Sequence, residues 1–298
     1  MNTLEIRNKG IELAKTYNIA ICSVVRNCNL NLARNILVME KLRRYFNSSI
    51  VIVFENDSID GTKQTLKEWN KDSSNIYIES VNLGSKTIPD SNSNGVIRFF
   101  SSSRISKMAD YRNKYMDKLN KIDFNPDFVL VVDLDISKIS INGILHSFGL
   151  VHQWDVICAN GYSISPRFKR RYHDTYALVE FGNENIPQTE ESIVGTATKW
   201  NFLKKGLPLI PVYSAFGGIS LYRYEAIKNL KYRAVKNNDS KIEMRCEHFS
   251  FCQDIRENGY NRIFINPELM LKFQSISFNI IIRRFFWEYR KLKSKVSK

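Results

Sequence analysis

Two carboxylates two residues apart, Asp133 and Asp135, close the apolar run Phe128-Val-Leu-Val-Val132. Alternation along a strand puts both side chains on one side. Paired hard oxygen donors there suit a divalent cation shared with a diphosphate, which would neutralise charge on a departing nucleoside diphosphate. The plainer role is a turn cap where a strand meets a loop. A second cluster, Glu55-Asn-Asp57, ends the β-branched run Ser49–Phe54 and is suited to bind a base or ribose, to cap the next helix, or both. Arg104, Met108 and Arg112 recur at i, i+4 and i+8 on one helix face, so both arginines point together at a phosphate or at solvent; Asn113 follows on the same helix. Glu247-His248 lies in an apolar setting after Cys246, where the neighbouring glutamate suits the histidine to a metal or acid–base role.

These residues need elements to position them. Residues 1–17 read as a helix, 19–25 as a buried strand, 30–46 as a helix and 49–54 as a strand. A helix over 61–70 and a strand over 76–80 follow. This β-α-β-α-β alternation predicts an α/β fold with a mostly parallel sheet covered by helices. Ligands of such sheets sit at the carboxyl ends of the strands, here around 25–28 and 55–60. The polar segment 84–103 reads as a mobile loop, 104–119 as a helix, 160–206 as irregular and basic, and 208–222 as a second apolar block. Without a repeat or a Pro/Gly-rich linker, the expectation is one catalytic domain over 1–275 and a separate tail over 276–298.

With 43% hydrophobic and 12% aromatic residues among 298, the chain can bury a sizeable core. A formal net charge of +14 calls for an anionic partner, either nucleic acid, acidic lipid or a phosphorylated substrate. No nucleic-acid-binding motif or P-loop is present. The five cysteines are scattered without a C-x-x-C pair, which favours a reducing cytosol over a disulfide framework. No apolar stretch is long enough to span a bilayer, and the N-terminus lacks a signal-peptide core. In the tail, Arg283, Arg284, Arg290, Lys291, Lys293, Lys295 and Lys298 face only Glu288. On a helix, Ile281, Phe285 and Leu292 would meet lipid and the cations acidic headgroups; otherwise this is a packed helix with a solvated basic end. The expected location is therefore cytoplasmic, free or peripheral on the inner face of a membrane.

Several segments line up in order: N-I-A-I-C-S-V-V-R-N (18–27), V-F-E-N-D-S-I-D-G-T (53–62), R-x-x-x-M-A-x-x-R-N (104–113) and V-V-D-L-D (131–135). W-D-V-I-C-A-N-G (154–161), Y-H-D-T-Y-A-L (172–178), A-F-G-G-I-S-L-Y-R (215–223), C-E-H (246–248) and G-Y-N-R-I-F-I-N-P (259–267) continue the series. Together they resemble GT-A glycosyltransferases, and most nearly the cryptococcal capsule-associated α-mannosyltransferase family. The resemblance implies a GT-A (nucleotide-diphospho-sugar transferase) fold, a nucleotide-sugar donor, Mn2+ or Mg2+, and transfer of mannose, galactose or glucose to a hydroxyl of a glycan or lipid-linked acceptor. It makes Asp133 and Asp135 the metal–diphosphate motif. Asp57, with Glu55 and the backbone of Val25 and Arg26, becomes the nucleoside contact. Arg104, Arg112 and Asn113 become the basic helix near the phosphates. Gly217 and Gly218 would allow close backbone approach to the donor sugar. Glu247-His248 stands where inverting GT-A enzymes carry an acidic dyad; Glu247 is the base if the enzyme inverts, His248 a third metal ligand if it retains. The rival readings are a nucleotidyltransferase and a non-catalytic carbohydrate-binding protein on the same fold.

Overall fold

The computed structural model describes residues 1–165, 169–199, 204–273, 282 and 284–286; the basic tail expected over 276–298 lies almost wholly outside these. The helices are α1 (Thr3–Ala14), α2 (Asn29–Arg43), α3 (Thr62–Asp72), α4 (Ser102–Leu119), α5 (Ile141–Gly149), α6 (Glu190–Lys199), α7 (Tyr224–Ile227) and α8 (Glu247–Glu257). The longer strands are β1 (Asn18–Val25), β2 (Ser48–Asn56), β3 (Ile76–Val81), β4 (Phe128–Val132) and β5 (Val156–Ile164). The short β6 (Arg170–Tyr172) and β7 (Ile210–Pro211) precede β8 (Ile219–Arg223), β9 (Val235–Lys236) and β10 (Met244–Arg245) form a small hairpin, and β11 (Ile263–Lys272) comes last.

One sheet runs in the order β3-β2-β1-β4-β8-β5-β11-β7, with β6 added on β5. β1 pairs in parallel with both β2 and β4, β2 with β3, and β5 with β11. β8 lies antiparallel between β4 and β5. The fold is thus mixed α/β around a large, mostly parallel sheet, as the strand alternation predicted. Strand alternation feeds two cores. Along β1, Ala20 and Cys22 pack on one face with α4 and α8, while Ile19 and Ile21 pack on the other with α2, α3 and α5. Burial on both faces is why the early strands read as continuous apolar runs. Among the described residues no helix is long and apolar enough to cross a membrane, and all five cysteines are buried free thiols.

Three differences from the sequence reading have physical causes. The region 160–206 contains part of β5 as well as β6 and α6; β5 takes its main partners, β8 and β11, from far along the chain, and β6 is only three residues long, so local pattern does not mark them. The segment 84–103 is irregular but tied down. Arg26 donates to Ser85 O and Thr87 Oγ1 at 3.0 and 3.1 Å, and Ile97 N donates to Lys241 O at 2.9 Å. β4 also stops at Val132, so alternation does not itself orient Asp135. The turn 134–136 is held by α2: Asn35, fully buried, donates to Leu134 O and Ile136 O at 2.8 and 2.7 Å, and Asn31 donates to Asp135 O at 2.6 Å.

The sheet face carrying α5 is filled by rings. Phe148 lies 5.1 Å from both Phe46 and Phe128, and Trp154 packs 5.4 Å from Phe128. Phe148 is fully buried. Replacing it by alanine is expected to cost about 3–5 kcal/mol in a urea titration; a loss below about 1 kcal/mol would mean the ring cluster collapses without penalty.

Candidate active site

The parallel register brings the ends of β1 and β2 level, with Val25 beside Glu55. At this edge opens a cavity of about 470 Å3 whose lining includes Val25, Arg26, Arg104, Arg112, Asp133, Asp135, Glu247 and His248. Eight residues singled out in the sequence thus converge from β1, the turn after β4, α4 and α8. The helical spacing of Arg104, Met108 and Arg112 holds, since all three line the cavity.

The others lie elsewhere. Glu55 is fully buried beneath the edge, accepting from Ser58 N at 2.8 Å and from the Ser80 hydroxyl; its neighbour Asn56 lines the cavity instead. Asp57 adopts a left-handed conformation, φ 53°, and accepts from Gly84 N at 2.8 Å, anchoring the start of the following segment. Its carboxyl is lowered by the Asn56 hydrogen bond and by backbone amides. Neither acid caps α3, whose N-cap is Gly61. Asn113 is engaged on both sides of its amide by the backbone of Tyr232, at 2.9 and 2.8 Å, and so fixes α4 to the segment before β9. Gly217 and Gly218 have φ of 69° and 93°, and a Cβ on Gly217 would lie 2.5 Å from Ala159 O. This pair turns the chain into β8, and Phe216 before it forms the cavity wall.

Charge organises the centre. Arg112 donates through Nε to Glu247 Oε1 at 2.9 Å, and its Nη2 lies 4.0 Å from Asp133 Oδ1. Its guanidinium also sits over Phe216, 5.0 Å from the ring centroid. Burial opposes charge on Arg112, yet neighbouring Tyr115, Glu247 and Asp133 raise it well above its ordinary value. Burial alone would raise Glu247, but the charge and hydrogen bond of Arg112 hold it at about 2. Such a carboxylate is a poor proton acceptor at neutral pH, so the role of base expected for Glu247 does not fit its environment. Nη1 of Arg112 is buried without a partner, a donor left for a ligand.

His248 stacks on Phe216 with centroids 3.9 Å apart and 13° between planes. Burial and Arg112 lower it well below its usual range, so it is neutral, and neither ring nitrogen has a hydrogen-bond partner. Among the described residues no group of three or more His, Cys, Asp or Glu side chains is gathered to hold a metal; His248 lines the same cavity as Asp133 and Asp135.

One residue absent from the sequence reading stands out. Asp174, in the turn after β6, lines the same cavity with a left-handed φ of 66°, uncommon for a residue bearing a side chain. Gly217 N donates to its Oδ2 at 3.2 Å. Desolvation, and then repulsion from Glu247, raise its carboxyl to about 7. Beside it, His173 stacks on Phe273 at 3.7 Å, and burial lowers it to about 4. The local sequence offered no period or cap to find Asp174; its only signal was the segment Y-H-D-T-Y-A-L.

The donor set fits a divalent cation. Asp133 is raised by desolvation and by repulsion from Asp135, Asp174 and Glu247, against the pull of Arg112. Crowded carboxylates of this kind are relieved by a hard cation, to which Asp133 and Asp135 offer oxygen donors.

The family model for Cryptococcal mannosyltransferase 1 matches residues 18–254, most of the chain. The protein belongs to this family. No curated protein sequence matches it. Among solved structures it is similar to the mannosyltransferase PcManGT of Pyrobaculum calidifontis, with 12% identity and a TM-score of 0.48, over 97% of this chain and 72% of that one. It is similar to S. aureus TarS 1-349 with 13% identity and a TM-score of 0.45, over 85% of this chain and 59% of that one. Mannosyl-3-phosphoglycerate synthase of Rubrobacter xylanophilus aligns with 13% identity and a TM-score of 0.44, over 98% of this chain and 77% of that one. Family membership makes this chain a glycosyltransferase.

The ion pair predicts an acid-stability profile. Glu247 is depressed below its ordinary 4.5, so its contribution is complete above about pH 4.5 and is lost as pH falls towards 2. Glu247→Gln is expected to lower stability by about 3–5 kcal/mol near neutrality, with the gap from wild type narrowing through that window. Parallel unfolding midpoints for the two proteins from neutrality to acid would show that the pair carries no such charge coupling.

Proposed function

We propose that this cavity binds a nucleoside-diphosphate sugar and transfers its hexose to a hydroxyl of a glycan or lipid-linked acceptor. The observation that carries the reading is the convergence of Asp133, Asp135, Arg104 and Arg112 in one cavity at the carboxyl edge of the sheet, in a chain of a mannosyltransferase family. A nucleotidyltransferase lacks that family support.

In this reading Asp133 and Asp135 hold Mn2+ or Mg2+, and the ion, when bound, offsets charge on the diphosphate. Arg104 and the free Nη1 of Arg112 face the same anion. Arg112 stays charged because Glu247 balances it, so Glu247 orients Arg112 and takes no proton. The neutral ring of His248 and its stacked partner Phe216 form an apolar wall with unpaired nitrogens, suited to a sugar hydroxyl.

Asp174 is the candidate base. Its carboxylate takes the proton of the acceptor hydroxyl as that oxygen attacks the anomeric carbon. The bond from that carbon to the diphosphate breaks, and its electron pair leaves with the nucleoside diphosphate. A carboxyl near 7 matches the working pH of such a base. Direct attack of this kind inverts the anomeric centre.

A panel of GDP- and UDP-sugars tests the reading through donor hydrolysis and transfer. Metal-dependent turnover of one donor, lost in Asp135→Ala, is the expected result. Asp174→Asn should lower transfer by about 10²–10⁴-fold while leaving donor affinity within a few-fold, and should remove the acid limb of the pH–rate profile near 7. No binding of any donor or of Mn2+ by calorimetry would overturn the assignment. Full transfer activity in Asp174→Asn would remove the base from it.

A further inference from the structure

A second cavity, of about 540 Å3, lies beyond the donor site, and four lysines line it: Lys41, Lys138, Lys205 and Lys272. No acidic residue is in its lining. The nearest carboxylate paired with it is Glu268, whose Oε2 lies 3.9 Å from Lys205 Nζ and whose Oε1 accepts from Gly206 N at 2.8 Å. Among the described residues Lys41, Lys138 and Lys272 make no ion pair. Four like charges around one groove repel one another and are relieved by an anion.

A separate feature has the same sign. The N-terminus of α5 opens here, with Ser140, Ile141 and Asn142 in the lining. The Ser140 side chain caps Gly143 N at 3.1 Å. That leaves the amides of Ile141 and Asn142 among the helix's unpaired first N–H groups, at the positive end of its dipole. Ile139 and Leu271, both buried, give the groove an apolar floor. Lysine ammoniums act as movable point charges and suit a multiply charged phosphate more than a planar carboxylate, which arginine reads better.

The groove and the donor cavity share a wall. Lys138 and Lys272 are joined through their backbones, N to O, at 3.2 and 3.1 Å. Phe273, next after Lys272, lines the donor cavity, and Asp135 stands three residues before Lys138. The donor's diphosphate already has Asp133, Asp135, Arg104 and Arg112 on the far side of this wall, so a second cationic site is redundant for it.

We propose that the four-lysine groove binds a phosphate or diphosphate ester carried by the acceptor, holding the acceptor's hydroxyl-bearing part across the Phe273 wall from the donor. The assignment to an acceptor rests on the glycosyl-transfer reading; the presence of an anion site does not.

The test is calorimetric titration of the full chain with inorganic pyrophosphate in EDTA, where without a cation the Asp133–Asp135 pair repels the anion. The groove variant is Lys41→Glu/Lys138→Glu. The control, Lys9→Glu/Lys67→Glu, changes the net charge equally at exposed sites elsewhere. The groove variant is expected to bind pyrophosphate on the order of tenfold more weakly, and the control within about twofold of wild type. A second arm measures binding to phosphatidylcholine vesicles with and without phosphatidic acid. Weakening of pyrophosphate binding alone assigns the groove to a soluble phosphorylated glycan. Weakening of vesicle binding, with or without pyrophosphate, assigns it to a lipid-borne phosphate. Equal behaviour of groove variant and control in both arms overturns the proposal. Metal-dependent donor hydrolysis, measured on the same proteins, should be unchanged by the groove variant. If wild type hydrolyses no donor yet the groove contrast holds, the transfer reading fails and the anion site stands.

Discussion

A buried guanidinium is costly unless its charge is met, and Arg112 is met by Glu247 at 2.9 Å and Asp133 at 4.0 Å. Those three residues come from α4, the start of α8 and the end of β4, so one charge balance fixes three elements around the cavity. Removing either partner of the short pair strands a charge in a low-dielectric site. In the proposed reading Glu247 serves to keep Arg112 charged and in place. The same balance divides the acids of the cavity by role. Glu247 is held ionised, whereas at Asp174 desolvation and Glu247 outweigh the support of backbone amides and Arg112, and the carboxyl is pushed to about 7. Acids driven apart in this way are a recurring mark of acid–base assignments.

Much of this was legible in the sequence. Continuous apolar strands signalled a sheet buried on both faces, and the i, i+4, i+8 spacing placed Arg104 and Arg112 on one wall. Other features depend on long-range pairing and left no local trace. β8 enters the sheet antiparallel beside β4, though 86 residues separate Asp133 from Ile219. Asp135 is aimed by Asn35, a helical asparagine with nothing to mark it in a one-dimensional pattern. Glu55 and Asn113 show the converse. Their types and positions suited a ligand, but each found a closer protein partner, and a buried polar group takes the partner that satisfies it. Asp174 was missed because its value comes from burial, a left-handed backbone and Gly217, 43 residues away.

The turn after β4 and the end of β11 lie between two cavities of different charge, one mixed and one lined by lysines. On one side arginines share the space with carboxylates, which suits the proposed diphosphate with its metal. On the other side four lysines line a groove with no acid in its lining, and among the described residues only Lys205 of these is paired, with Glu268; the proposed ligand there is an anion alone.

The central claim, that Asp133 and Asp135 form a cation site completed by a diphosphate, is tested most directly by titrating Mn2+ into the protein by electron paramagnetic resonance, with and without GDP or UDP. The pair of carboxylates should bind Mn2+ weakly alone and at least about tenfold more tightly with the nucleotide, and linkage requires Mn2+ to tighten nucleotide binding by the same factor. Mn2+ affinity unchanged by either nucleotide, or retained in Asp133→Asn/Asp135→Asn, would contradict it.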